Sequence, residues 1–175
     1  MILKIVFVFG ALIAAVLVFA ATKAPKFRVQ RSVMIDAPRQ KIFPLINDFH
    51  NWSRWAPQDK EDVNMKRTYS GSASGEGAIS QWHGAGSTGR GSMLITKSVP
   101  SNSVSIKVDF IKPFEAHNLD EFDLEPNGSS TKVTWTMQGT NLYIMKVMGV
   151  FVNMDRLMGR HFETGLHNLK IVAEQ

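Results

Sequence analysis

Two polar residues, an amide and a carboxylate, are spaced so that both side chains can face the interior and contact a bound molecule. Asn118 and Asp120 occupy alternate positions of one stretch with Phe122 and Leu124. If those two apolar side chains face a core, the polar pair faces it too. An unpaired carboxylate is costly to bury, so Asp120 then needs a partner such as Arg90, or a polar group on a bound molecule. A register shifted by one residue would instead leave the pair in solvent.

A second group of residues, His161, Glu163 and His167, invites a metal interpretation. Glu163 and His167 would share a helix face and be able to pair, whereas His161 would point away, and the spacing matches no zinc signature. The chain has no cysteine, which excludes thiolate ligands and disulfides. It also lacks the Gly-x-Ser-x-Gly sequence of a hydrolase nucleophile. We therefore expect no metal site and no cofactor.

A glycine-rich segment, residues 84–89, has the letters of a dinucleotide fingerprint. That fingerprint needs a following helix whose N-terminus holds the pyrophosphate. The residues that follow, Arg90 to Val99, have the pattern of a strand. The segment therefore predicts a hairpin turn and no nucleotide site.

The elements that position these residues follow from hydrophobic periodicity. Residues 27–35 alternate as a strand, after which Asp36 is expected to cap a helix whose apolar stripe ends at about Asn47. A second short helix is expected to carry Asn51 to Trp55. From Met65 to Thr140 the period is two, with turn residues between the runs, which predicts an antiparallel meander.

The chain closes with a long amphipathic stretch from about Tyr143 to Ala173, which predicts a helix. Gly149, Gly159 and Gly165 weaken it, so we expect a break or bend. An antiparallel sheet and a helix, each with one apolar face, bury those faces by docking, which predicts an α+β helix-on-sheet fold. A strongly curved sheet around one helix leaves a hollow between them.

The N-terminus carries an apolar run, Ile5 to Ala21, together with the net charge. Five basic residues, from Lys4 to Arg31, precede the first acidic residue, Asp36, and they account for the whole formal charge of +5. Basic residues beside an apolar span indicate contacts with anionic lipid headgroups. The sequence pI of 9.6 therefore predicts a membrane partner and no nucleic acid.

The apolar run, extended by residues 1–4, is long enough to cross the hydrocarbon core. We predict a retained single-pass anchor and tether over residues 1–25 and one domain over residues 26–175. The larger number of Lys and Arg on the C-terminal flank places the domain on the cytoplasmic side, although such an anchor also inserts the other way. The alternative is a signal peptide cleaved near Ala20 or Ala21, which would make the domain secreted or periplasmic.

Several short motifs follow one another along the domain. They are Asn51-Trp52-Ser53-Arg54-Trp55-Ala56-Pro57, then Met65, Tyr69 and Gly71, then Gly75-Glu76-Gly77-Ala78 with Trp82, then Lys112-Pro113-Phe114, Val133-Thr134-Trp135 and Phe162-Glu163-Thr164-Gly165-Leu166. In these motifs and their order, the sequence resembles the SRPBCC or START-like superfamily, in the branch labelled polyketide cyclase/dehydrase and lipid transport. The resemblance covers Lys26 to the C-terminus.

The resemblance implies a helix-grip fold, in which a curved antiparallel sheet of about seven strands surrounds a long C-terminal helix and holds a hydrophobic molecule. It implies no shared catalytic set. Trp52 and Trp55, three residues apart, would either close the mouth of the cavity or pack the short helices onto the sheet. The residues expected to bind the ligand are Trp52, Trp55, Trp82, Phe110, Asn118, Asp120, Trp135 and Phe162.

The leading hypothesis is a membrane-tethered protein that binds or transports a lipid or other hydrophobic small molecule. One alternative is a cyclase, dehydratase or hydrolase, in which Asp120, Asn118, Arg90 or Glu163 would serve as acid, base or orienting group. The other is a chaperone-like interaction module. An enzyme would gather titratable groups in the cavity, a carrier would have an apolar cavity, and an interaction module would have a filled core. The sequence leaves the oligomeric state open.

Overall fold

A computed structural model describes residues 2–58, 62, 64–84, 88–112 and 115–175. The helices are α1 (Ile2–Thr22), α2 (Arg39–Asn47), a 3₁₀ helix (Phe49–Arg54), α3 (Tyr143–Phe151) and α4 (Met154–Ala173). The strands are β1 (Lys26–Ile35), β2 (Lys66–Gly71), β3 (Ala78–His83), β4 (Arg90–Val99), β5 (Ser103–Lys112), β6 (Ala116–Asn127) and β7 (Ser130–Thr140).

The strands form one antiparallel sheet in the order β1-β7-β6-β5-β4-β3-β2. Strands β2 to β7 are a meander, because each pairs with the next along the chain, and β1 closes the order by pairing with β7. The predicted meander is therefore confirmed. Residues 85–87 of the glycine-rich segment lie outside the described residues, but β3 and β4 on either side of them are antiparallel partners.

Helix α4 packs on the inner face of this sheet and buries Phe162, Leu166 and Leu169, as its apolar stripe predicts. The predicted helix-grip architecture is confirmed. The expected break is also present, between α3 and α4, where the Asn153 side chain accepts a hydrogen bond of 2.9 Å from the Arg156 amide and so caps α4.

Two of the three glycines expected to weaken the helix do not lie at the break. Gly159 and Gly165 lie inside α4 because neighbours approach the helix backbone there. A Cβ at residue 159 would overlap the guanidinium of Arg31, and one at residue 165 would lie 2.9 Å from the Trp135 ring. Both glycines thus allow close packing, at the known cost to helix propensity.

The predicted cap of α2 is wrong. Pro38 precedes the helix and provides no side-chain cap, whereas the Asp36 carboxylate accepts a hydrogen bond from the Ser130 hydroxyl at 2.8 Å. Its backbone amide donates to Glu174 at 2.7 Å. Asp36 therefore ties the end of β1 to the start of β7 and to the C-terminus.

Helix α1 projects most of its apolar side chains outward and contacts α3. Within the described residues, Lys4–Thr22 is the one helix long and apolar enough to cross a membrane, a test that a signal sequence also passes. Two hydrogen bonds fix α1 against α3. The Tyr143 hydroxyl donates to the Leu17 carbonyl at 2.8 Å, and the Lys23 ammonium donates to the Gly149 carbonyl at 2.6 Å.

Candidate functional site: a cavity between the sheet and the C-terminal helix

A cavity of about 640 Å³ lies between the inner face of the sheet and α4. Apolar side chains from six strands, the 3₁₀ helix and both C-terminal helices form most of its wall. The volume falls within the range of about 300–1,000 Å³ that is typical of small-molecule sites. The hollow that the family resemblance implies is therefore present and large enough for a small molecule.

Seven of the eight residues predicted to contact a ligand line this cavity. They are Trp52, Trp82, Phe110, Asn118, Asp120, Trp135 and Phe162. Their common position follows from strand alternation and helix spacing, which bring inward residues to one surface. Their role in binding remains a prediction.

Trp55 does not belong to this wall, and of the two roles considered for Trp52 and Trp55 the structure shows packing of the short helices and not closure of the mouth. Both side chains are buried in the core. The Trp52 indole N–H donates to the Ile46 carbonyl, and the Trp55 indole N–H donates to the Leu45 carbonyl, each at 2.9 Å. The two indoles therefore fix the 3₁₀ helix to α2, and Trp52 contacts the cavity from its buried end.

Stacked aromatic rings form the wall next to α4. Trp135 lies parallel to Phe162, with ring centroids 4.2 Å apart, and stacks on Phe122 at 4.9 Å. Such contacts add to the energy of burial and fix the ring orientations. Three packed rings therefore form this end of the cavity wall.

Trp82 and Phe110 form a second aromatic pair on β3 and β5, with centroids 5.5 Å apart in an edge-to-face arrangement. The Trp82 indole N–H donates to the Thr88 carbonyl at 3.1 Å. Gly91, opposite Trp82 in the register of β3 and β4, leaves space for the indole, because a Cβ at residue 91 would overlap the ring. The missing side chain thus lets Trp82 lie over β4.

The inward position predicted for Asn118 and Asp120 is correct. The two side chains are 8% and 3% exposed, respectively, and both line the cavity. The Trp135 indole N–H donates to Asp120 Oδ2 at 3.0 Å, while Asp120 Oδ1 has no hydrogen-bond partner among the described residues. Burial raises the pKa of Asp120 to about 7, against the opposing effect of the bond from Trp135. Arg90 is exposed and does not serve as the partner.

Asn118 lies one inward position nearer the start of β6. Its amide nitrogen is 3.6 Å from the Met137 sulfur, and its Oδ1 is buried with no hydrogen-bond partner in the described part of the chain. Gly139 is opposite Asn118 in the register of β6 and β7. A Cβ at residue 139 would overlap Asn118 Oδ1, so this glycine provides the space that the amide occupies.

Sequence reasoning missed the methionines of the cavity wall. They are Met65, Met93, Met137, Met145 and Met158. Methionine is flexible and polarizable, so it adapts to ligands of different shape. The nine methionines of the chain were the available signal, but composition alone does not place them on one surface.

Exposed residues mark the mouth of the cavity. Arg28, Lys112 and Thr140 line it while remaining exposed to solvent. Asn141, another lining residue, donates its backbone N–H to the Pro25 carbonyl at 2.8 Å. The mouth therefore lies beside the segment that joins α1 to β1.

The residues considered for metal binding have other partners. Glu163 accepts a hydrogen bond of 2.7 Å from Arg31, so the expected pairing of Glu163 with His167 is replaced. Arg31 also bonds Asp155 at 3.0 Å, which joins β1 to α4. His161 lies 3.1 Å from the Gln58 side chain. Within the described ranges, no three His, Asp or Glu side chains are grouped as a metal site requires.

Solved structures of similar fold include three from different contexts. A Chromobacterium violaceum protein is 12% identical, with a TM-score of 0.60 over 86% of this chain and 98% of its own. The Aha1 protein of Colwellia psychrerythraea, solved as a dimer, is 18% identical, with a TM-score of 0.58 over 85% and 96%. DynU16, from the dynemicin biosynthetic locus, is 13% identical, with a TM-score of 0.58 over 85% and 47%. At these identities the likeness shows a shared fold.

No curated protein matches the sequence. A family match, in contrast, extends over residues 26–174, which is the whole sheet and the helices that pack on it. The matched region includes every cavity residue described above. The chain therefore belongs to the polyketide cyclase / dehydrase and lipid transport family.

Proposed function

We propose that this protein binds or transports a lipid or other hydrophobic small molecule in the cavity between the sheet and α4. The observation that carries the proposal is the cavity itself, about 640 Å³ in volume and walled mainly by apolar side chains, most of them aromatic or methionine. Apolar surface that contacts water in the empty protein is removed from water when an apolar ligand enters. The family supports a hydrophobic ligand as well.

The proposal includes tethering of the domain, residues 26–175, to a membrane by residues 1–25. Its support is the length and apolar composition of α1 and the basic residues that follow it. The excess of Lys and Arg on that flank favours the cytoplasmic side. A tether keeps a carrier at high effective concentration near its lipid source. Cleavage of the segment would instead release a secreted or periplasmic carrier.

One observation favours a second candidate function, an enzyme of the cyclase or dehydratase type. Asp120 lines the cavity with a pKa raised to about 7 by burial, and such a carboxyl suits a general acid or base. The carrier remains preferred because Asp155 is engaged by Arg31 and Glu163 is directed to the same arginine. The interaction-module hypothesis requires a filled core, and the cavity weighs against it.

Native mass spectrometry of the full chain, extracted with the membranes of its own host, tests the proposal. A carrier should retain a hydrophobic molecule at about one per chain, as a single enclosed site requires. The matched control is Met93→Trp, which adds volume to the cavity wall and should lower the retained fraction without adding charge. Equal retention by both proteins would place the bound molecule outside the cavity, and absence of any bound molecule would contradict the carrier.

A further inference from the structure

The cavity wall contains two buried side-chain oxygens from β6. Oδ1 of Asn118 and Oδ1 of Asp120 have no hydrogen-bond partner among the described residues, although both side chains are more than nine-tenths buried. Buried oxygens without a donor are rare in folded proteins because desolvation then goes uncompensated. These two belong to neighbouring inward positions of β6 and line one cavity.

The surroundings define the chemistry that would satisfy them. The nearest inward residues on the flanking strands are Val108 and Ile106 on β5 and Met137 on β7, which bring no strong donor. The indole N–H of Trp135 is already used, because it donates to Oδ2 of Asp120. A ligand carboxylate would place a second anion beside Asp120, whereas an O–H or N–H group would donate to its free oxygen.

Resting on the proposed function, we propose that the ligand is a neutral amphiphile whose hydroxyl or other N–H or O–H donor reaches the buried oxygens of Asn118 and Asp120. Its apolar part extends past Phe110 and Trp82 toward the mouth. Fatty alcohols and other hydroxylated hydrophobic molecules fit this description, and fatty acids fit it poorly.

A competition between matched probes tests this ligand class. The full chain in phosphatidylcholine nanodiscs is incubated with equal amounts of dodecanol, dodecanoic acid and dodecyl methyl ether, then repurified. Bound probes are extracted and quantified by gas chromatography, with empty nanodiscs as the background. Wild-type protein should retain dodecanol over the ether by at least about tenfold, because the ether lacks the donor.

Two variants separate the contribution of Asp120. Asp120→Leu should retain the probes but lose the preference for dodecanol. In Asp120→Asn the amide oxygen accepts from Trp135 and the NH₂ group replaces the free oxygen, so preference should move toward dodecanoic acid. Retention without preference, or a preference that survives Asp120→Leu, would overturn the inference. Retention of no probe above the background would contradict the carrier proposal itself.

Helix α3 exposes an apolar surface, which is a feature independent of the buried oxygens. Several of its large apolar side chains are exposed, among them Tyr143, Ile144, Met148 and Phe151, the last 74% exposed. The helix contains Lys146 and no acidic residue. A contiguous exposed apolar surface of this kind marks an interaction site.

The position of α3 indicates what covers that surface. It contacts α1 and is hydrogen-bonded to Leu17 and Lys23 near the end of that helix. Exposed apolar side chains of α1 therefore continue onto α3. Met145 of α3 and Leu142, the residue just before the helix, line the cavity.

Resting on the proposed tether, we infer that α3 lies in the lipid interface of the bilayer and forms the membrane-facing rim of the cavity mouth. An amphipathic helix with an apolar face and a basic residue suits this position. Lys23, whose ammonium donates to the Gly149 carbonyl of α3, adds positive charge that complements anionic headgroups. A ligand would then pass between bilayer and cavity without crossing water.

The absence of cysteine allows a direct test with single labels. Phe151→Cys and Ser129→Cys, in the full chain, are labelled with an environment-sensitive fluorophore and reconstituted in phosphatidylcholine–phosphatidylglycerol vesicles that contain a spin-labelled lipid. Ser129 is the matched control, because it is exposed in the turn between β6 and β7 at the opposite end of the sheet.

The label at residue 151 should emit at shorter wavelength and lose most of its fluorescence to the lipid quencher, while the label at residue 129 should do neither. Met148→Cys serves as a second position on α3 and should behave as residue 151 does. Equal, unquenched emission from both ends of the domain in vesicle-bound protein would overturn the inference. Protein that fails to float with the vesicles would contradict the tether.

Discussion

Replacement of Asp120 by asparagine should stabilise the protein at neutral and alkaline pH. In the folded chain burial raises the pKa of Asp120 to about 7 from an ordinary value of 3.8. The carboxyl therefore holds its proton more tightly when folded than when unfolded. The contribution of Asp120 to the free energy of unfolding is most favourable below about pH 4 and declines as the pH rises toward about 7, where the folded form also ionises.

The magnitude follows from the two pKa values. They differ by roughly three pH units, and each unit corresponds to about 1.4 kcal/mol, so ionising buried Asp120 costs about 4 kcal/mol at pH 8. The amide side chain of the Asp120→Asn variant does not ionise, and its oxygen still accepts the indole N–H of Trp135. The variant should thus exceed wild type in stability by up to about 4 kcal/mol at pH 8 and match it near pH 4.

The difference in stability between Asp120→Asn and wild type is measured by urea denaturation across the pH range. The ligand-free full chain is kept in a mild detergent, and unfolding is monitored by tryptophan fluorescence. Trp135 makes the signal sensitive to the cavity wall, because it is stacked on Phe162. Asp123→Asn is the control. It removes the same charge from the same strand, but Asp123 is exposed.

A constant difference between Asp120→Asn and wild type at every pH would refute the reasoning, since the effect depends on titration. A variant less stable than wild type at pH 8 would show that the Asp120 carboxylate is stabilised by a partner stronger than the single bond from Trp135. The same pH profile in Asp123→Asn would assign the effect to net charge.

Three further outcomes are expected. The full chain should remain with membranes in alkaline carbonate, whereas a chain that begins at Lys26 should be soluble; release of the full chain by carbonate would contradict the anchor. Gly91→Ala should lose about 1–3 kcal/mol in urea denaturation, because its Cβ overlaps the Trp82 ring, and an unchanged midpoint would contradict the close approach. Arg31→Met should lower stability in low salt more than in high salt, since it removes ion pairs to Asp155 and Glu163; a salt-independent loss would assign the effect of Arg31 to packing.

The alternation of apolar residues was sufficient to predict the strands, the meander and the sheet face that meets α4. Such patterns are local, because a side chain's direction on a strand or helix depends on its position in that element. The inward position of Asp120 followed from its spacing to Phe122, and the N-terminal helix followed from composition and length. Local order thus determined the fold class and the predicted aromatic and polar residues of the candidate cavity wall.

The partners of these residues depended on tertiary structure. Trp135 donates to Asp120 because the register of β6 and β7 brings these residues of different strands together. Gly159 appears in the sequence as a helix breaker, yet it receives Arg31, which lies 128 positions earlier in the chain. Contacts between residues far apart in sequence are fixed by packing and register, which no local pattern encodes. The sequence therefore determined which faces are apolar, and the packed fold decided which polar groups meet, where a cavity remains and which helix lies beside its mouth.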